Sequence, residues 1–217
     1  MRNKFLEELM TLDEKILMMS GMVEQAIDTA ITALFNQDGE KAGWVVGNDD
    51  AIDAMMRQIE GDCVNIIAMQ QPVATDLRFI YTVLKISTDL ERIGDHAVNI
   101  AEVVLRFSKL KPVGTYSFLP LMTHVATEMV HISIKSLVQR NEEMAVENCR
   151  RDSQIDRLCL DTRQDLIRLL SRTQDTESIE KLLDLFLLAY NVERIADHAT
   201  NIGERVIYLV SGKKAQY

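Results

Sequence analysis

The sequence predicts an all-α protein built as two tandem three-helix bundles, six long helices related by internal duplication. Three observations carry that expectation. The 217-residue chain has only 9 Gly and 3 Pro, too few turn formers for a strand-rich fold. Its apolar residues recur in alternating steps of three and four, the period of one helix face. Its second half also repeats the first at a nearly constant offset.

The elements follow in chain order. Phe5, Leu9, Leu12, Ile16, Met19, Val23, Ala26, Ala30 and Ala33 form the seam of a first helix, which breaks at Asn36–Gly39. A second helix over roughly 40–70 carries Ile52, Met56, Ile59, Cys63 and Ile66 and stops before Pro72. A third, over roughly 73–107, runs through Phe79, Val83, Ile86, Leu90, Ile93, Ala97, Ile100, Val104 and Phe107. Helices of this length extend about 45 Å and need neighbours to bury such seams. The segment SKLKPVGTYSFLP (108–120) holds two of the three prolines and reads as the linker between a first unit, 1–107, and a second, 117–210.

Beyond the linker the pattern restarts. DLERIGDHAVNIAE (89–102) aligns with NVERIADHATNIGE (191–204) at an offset of 102, and DDAID (49–53) with DSQID (152–156) at 103. Further upstream, ITALF (31–35) aligns with IKSLV (134–138). An offset held over three helices means that a whole three-helix unit was duplicated.

Composition narrows the function. A net charge of −9 argues against non-specific nucleic-acid binding and against electrostatic attachment to an anionic lipid surface. The three cysteines, Cys63, Cys149 and Cys159, are odd in number and lack metal-knuckle spacing, which suits a reducing cytoplasm. No secretory signal is visible, and LLDLFLLAYNV (182–192) contains Asp184 and is too short to span a bilayer. Any membrane association is expected to go through a partner.

The acidic residues carry the chemistry. Glu91 and Asp95 stand four apart on one helix face, and Glu193 and Asp197 copy them in register. Asp49 and Asp53 form a second pair, copied by Asp152 and Asp156. Asp53 and Asp95 lie at similar distances before and after the turn near residue 73, so an antiparallel hairpin sets them at similar heights. Four such carboxylates repel unless protons or a cation intervene. We therefore expect one cluster per bundle, Asp49, Asp53, Glu91 and Asp95 in the first and Asp152, Asp156, Glu193 and Asp197 in the second. All-oxygen ligation suits Fe³⁺, Mn²⁺ or Mg²⁺, and zinc if His96 or His198 swings in. The alternative, acids balanced by Arg92, Arg194 and Arg78, stays open at this stage.

Other polar residues promise less. His96 and His198 point about 100° away from the acids that precede them, and a capping or surface role is expected. His124 and His131 lack counterparts in the first half and read as structural. Asn99 and Asn201 could orient the acid stripe or bond between helices. No Gly-rich phosphate loop, nucleophile elbow or Cys–His pair occurs.

DLERIGDHAVNIAE, NVERIADHATNIGE and QPVATDLR (71–78) closely resemble the PhoU family of bacterial phosphate-transport regulators, over essentially the whole chain. The resemblance implies a non-enzymatic cytoplasmic accessory protein that forms dimers or larger assemblies. Such proteins work beside the Pst-type ABC phosphate importer, with its ATPase as the expected contact, and beside the phosphate-sensing histidine kinase. They hold the phosphate-starvation response off when phosphate is plentiful and restrain uptake. In some members the acid-x-x-x-Asp motifs bind iron or zinc clusters, and no organic cofactor is implied. Carried over, those motifs are Glu91/Asp95 and Glu193/Asp197, faced by Asp49/Asp53 and Asp152/Asp156. The second hinge departs from the family pattern, with QDTESIEK (174–181) in place of QPVATDLR.

A competing reading is a metal-dependent helical-bundle enzyme of the ferritin-like di-metal oxidase class. That chemistry wants two Glu-x-x-His motifs, and the chain has only Glu128-x-x-His131. A scaffold whose acids serve solubility is the third reading.

Overall fold

The structure, a computed structural model, describes residues 2–107 and 119–217. Among these every regular element is a helix: α1 (Arg2–Asn36), α2 (Gly39–Gln70), α3 (Ala74–Phe107), α4 (Leu119–Gln139), α5 (Glu142–Cys149), α6 (Asp152–Leu170) and α7 (Thr176–Ser211). The first three match the expected helices closely. The linker expected over 108–120 lies outside the described residues except for Leu119 and Pro120, which open α4. Proline is tolerated there because first-turn N–H groups have no partner within the helix.

The duplication extends to the turns. Gln37 and Arg140 both adopt left-handed backbone, with φ of 53° and 49°. Each is followed by a helix-capping side chain, Asp38 accepting from the Lys41 N–H at 3.1 Å and Asn141 from the Met144 N–H at 2.9 Å. A short polar side chain at this position satisfies an N–H that the helix itself leaves unpaired.

One element differs between the repeats. Where α2 runs unbroken, its counterpart is split into α5 and α6 by a turn at Arg150–Arg151. There the Arg151 N–H reaches back only three residues, to the Asn148 carbonyl at 3.0 Å. The Asn148 amide is buried and donates to the Met129 carbonyl at 2.7 Å, tying the bend to α4. The six-helix plan therefore holds, with its fifth helix in two segments.

The seams read from the sequence are the core. Leu12, Ile16, Met19 and Val23 of α1, Ile59 and Cys63 of α2, and Val83, Ile86, Leu90 and Ile93 of α3 are fully buried. Complete burial of each such side chain stabilises by about 1.5–3 kcal/mol relative to exposure. The helices α1, α2 and α3 pack together, α4 to α7 do likewise, and α3 also packs along α7. Buried apolar residues from both repeats thus form one continuous cluster. No helix of the described residues is long and apolar enough to cross a membrane.

Candidate metal centre and the seam between the repeats

The α2–α3 hairpin brings three of the four carboxylates of the first acidic set together, and Glu91 is not among them. Asp49, Asp53 and Asp95 each present a carboxylate oxygen, all within 4.8 Å of one another, and all three are half-buried. Glu91 lies one turn from Asp95 on α3. Burial pushes its carboxyl up from the ordinary range, and the charges of Asp95, Asp53 and Asp49 push the same way. Asp49 is raised for the same reasons, burial first and then Asp53 and Asp95. Two arginines reach in from the rim, Arg57 to Asp53 at 3.3 Å and Arg92 to Asp95 at 3.0 Å and Glu91 at 3.4 Å. Asp49 makes no ion pair among the described residues and so carries the uncompensated repulsion.

The second acidic set is arranged differently. Each of three members is engaged by a neighbouring side chain. Asp152 accepts from the Thr200 hydroxyl at 2.9 Å, Glu193 from the Cys159 thiol at 3.0 Å, and Asp197 pairs with Arg194 at 2.6 Å. Burial raises Asp156 and Asp197, and for Asp156 the charges of Asp152 and Glu193 add to it. Among the described residues these four do not converge as the first set does. The repeat offsets show why: Val98 and Met56 stand where Thr200 and Cys159 stand, and neither can donate a hydrogen bond. Cys159 lies three residues beyond Asp156 on one helix face, a signal present in the sequence but unused.

All-oxygen donors at this separation fit a hard cation in the first repeat, with water completing its shell. The second set offers a thiol beside its carboxylates, a softer and mixed donor set. The Cys159 thiol is pushed up to about 12, by burial first and then by its bond to Glu193.

The histidines depart from expectation. His96 and His198 are half-buried in the α3–α7 seam and stack on each other, ring centroids 5.8 Å apart and planes 28° apart. Their Nδ1 atoms face repeat-related partners, His96 to the Asn191 side-chain amide oxygen (Oδ1) at 2.8 Å and His198 to the Asp89 carboxylate at 3.0 Å. The Asn201 amide also donates to Asp89, at 3.3 Å, so Asn201 bonds between helices. Sequence reasoning missed Asp89 and Asn191. They stand at equivalent positions, seven residues before each histidine, which is two helix turns on the same face. Burial lowers the His96 imidazole, with the hydrogen bond to Asn191 opposing it.

Glu128 and His131 turn outward rather than into a bundle interior. Glu128 pairs with Arg151, and His131 faces Asp28 at 3.3 Å. Glu128 is thus held in an ion pair, whereas the His131 Nε2 is sheltered from solvent without a hydrogen bond among the described residues.

Known proteins share this chain's fold and its repeat. The PhoU domain pattern matches the chain twice, over residues 16–104 and 119–206. A phosphate-specific transport system accessory protein PhoU homolog from Clostridium acetobutylicum is 37% identical over 214 residues, 98% of this chain and 97% of that protein. A PhoU homolog of the same description from Aquifex aeolicus is 36% identical over 210 residues, covering 97% of this chain and 94% of its own. The crystal structure of PhoU from Pseudomonas aeruginosa superposes with a TM-score of 0.91 at 33% identity, over 96% of this chain and all of that one. That of the phosphate transport system regulatory protein PhoU from Streptococcus pneumoniae gives 0.87 at 27% identity, over 98% of this chain and 100% of its own. With both repeats matched, an all-α fold shared end to end and relatives above one-third identity, the chain belongs to the PhoU family of phosphate transport system accessory proteins.

Proposed function

We propose that this protein is a cytoplasmic negative regulator of phosphate uptake and of the phosphate-starvation response. It acts by binding, as a homodimer or larger assembly, to a Pst-type phosphate ABC importer through the ATPase and to the phosphate-sensing histidine kinase. The observation that carries this reading is the match of both repeats and nearly the whole chain to proteins described as phosphate transport accessory proteins. The net charge of −9 supports action through proteins rather than promoter DNA. In this reading the chain is a binding protein, not an enzyme, and any membrane contact runs through the importer.

Within the same reading, Asp49, Asp53 and Asp95, with Glu91 beside them, hold a hard cation on the first repeat. Iron in its ferric state or manganese suits their oxygen donors. Asp152, Asp156, Glu193 and Asp197 are the second site of this reading; a cation must draw them together, and Cys159, on losing its proton, adds a sulfur that favours zinc or ferrous iron. Bound metal neutralises the repulsion among the carboxylates and fixes the α2–α3 surface that a partner would read.

A clean deletion tests the regulatory reading. It should leave phosphate-response genes on, and uptake unrestrained, in phosphate-rich medium. Pull-downs with importer and kinase components at high and low phosphate should then recover both. Normal repression and uptake in a strain without a second copy of the gene would refute it.

A further inference from the structure

One end of the α3–α7 seam gathers two tyrosines and three cations. The Tyr81 and Tyr208 rings meet edge to face there, centroids 6.2 Å apart. Lys85 Nζ sits 6.0 Å from the Tyr81 ring centroid, and the Arg78 guanidinium lies against Gly212 just beyond the end of α7. Arg205 joins them by register. Asn201 bonds to Asp89 and Tyr208 touches Tyr81, so Arg205, between Asn201 and Tyr208, falls opposite Lys85, midway between Tyr81 and Asp89. None of these three cations makes an ion pair among the described residues. The Nε atoms of Arg78 and Arg205 are buried and lack a hydrogen-bond partner. Of the carboxylates along this stretch of the seam, Asp89 is already taken by His198 and Asn201, and Glu204, beside Arg205, accepts from the Tyr217 N–H at 2.9 Å.

We propose that Arg78, Lys85 and Arg205, with Tyr81 and Tyr208, form a docking surface for an acidic segment of a protein partner. Duplication does not account for the surface. The positions related by the repeat to Arg78, Tyr81 and Lys85 are Glu180, Leu183 and Leu187, and at that opposite end Arg106 is neutralised by Asp184 at 3.3 Å. A helix C-terminus favours a cation, which explains Arg78 beside α7 but leaves Lys85 and Arg205 without a structural task. The seven residues from Arg78 to Lys85 span about 10 Å, or about two helix turns, wider than one oxyanion and matched to several carboxylates spaced along a segment. Arginine and tyrosine are the residue types that concentrate binding energy at protein interfaces. The remaining surface, net negative, repels an acidic segment and so orients it toward this end.

The proposal rests on the partner-binding reading above, yet it can fail separately. The probe is a labelled peptide of Glu-Glu-Tyr repeats, with a Gln-Gln-Tyr peptide as neutral control, titrated into the full chain at low salt. Binding should shift the Tyr81 and Tyr208 ring resonances, weaken with added salt, and fall roughly tenfold or more in K85E/R205E. Thermal melting checks that the double variant folds; should it not, Lys85→Glu alone, at an exposed position, carries the same test. Unchanged affinity in the folded variant would overturn the surface, as would equal binding of the neutral peptide. Displacement by inorganic phosphate at the peptide's own concentration would also overturn it, pointing to a single-ion site. Each of these leaves the regulatory reading standing, because that reading is decided by the deletion strain.

Discussion

Replacing Asp49 by Asn should make the metal-free protein more stable. Asp49 faces Asp53 and Asp95 within 4.8 Å, and unlike them it lacks an arginine partner. Coulomb repulsion at that separation is about 0.9 kcal/mol per pair in water and about 3.5 kcal/mol at an effective dielectric of 20. All three residues are only half-buried, which places each pair near the lower figure, and Arg57 and Arg92 cancel part of it. A gain of about 1 kcal/mol remains, which for a chain of this size raises the melting temperature by about 2–4 °C. The pH dependence has a definite sign. Asp49 is raised in the folded state from 3.8, so its folded-state advantage is complete below that value and is lost as pH rises through the raised one. The stabilisation by Asp49→Asn should therefore be full at pH 7, shrink as the pH drops toward 4 and vanish below. Asp152→Asn provides the contrast. Asp152 accepts from Thr200, and an amide oxygen can keep that bond, so little change is expected. The assay is thermal unfolding by circular dichroism after chelator treatment, at several pH values and at high salt. A destabilised or unchanged Asp49→Asn protein at pH 7 would refute the reasoning and show the acids already balanced by their arginines.

Other perturbations follow from the same geometry. Added manganese should raise the melting temperature of the wild-type protein, and Asp95→Asn should remove most of that rise, because ligands from two helices meet only in the folded chain. Gly203→Ala should destabilise by about 1–3 kcal/mol, because the new Cβ would stand 2.6 Å from the buried Cys149 sulfur, outweighing a helix-propensity gain of about 1 kcal/mol. Adding Cys149→Ala should recover most of the loss in a double-mutant cycle. Asp89→Ala should cost about 2 kcal/mol by leaving His198 and Asn201 without their shared acceptor, and Asp89→Asn should recover part of it, both read from urea unfolding.

Local rules determined much of this protein from the sequence alone. A three-four apolar period commits a segment to one helix face whatever packs on it, so the seams of α1, α2 and α3 were legible residue by residue. The constant offset carried the same reading into the second half, and Pro72 marked where a helix must stop. The first acidic set was legible for a related reason, since equal distances from a hairpin turn fix equal heights. Contacts that depend on the docking of one helix on another were not. The stacking of His96 on His198, and their bonds to Asn191 and Asp89, exist only because α3 of one repeat lies antiparallel along α7 of the other. No pattern internal to either helix specifies that register. The unequal fate of the two acidic sets was decided the same way. Identical spacings leave Asp49 without a hydrogen-bond donor among the described residues but give Asp152 the Thr200 hydroxyl, because a single side chain on the facing helix differs. Periodicity fixes which face of a helix is buried; only tertiary packing fixes which neighbour that face meets, and hydrogen bonds and charge pairs are set by the neighbour.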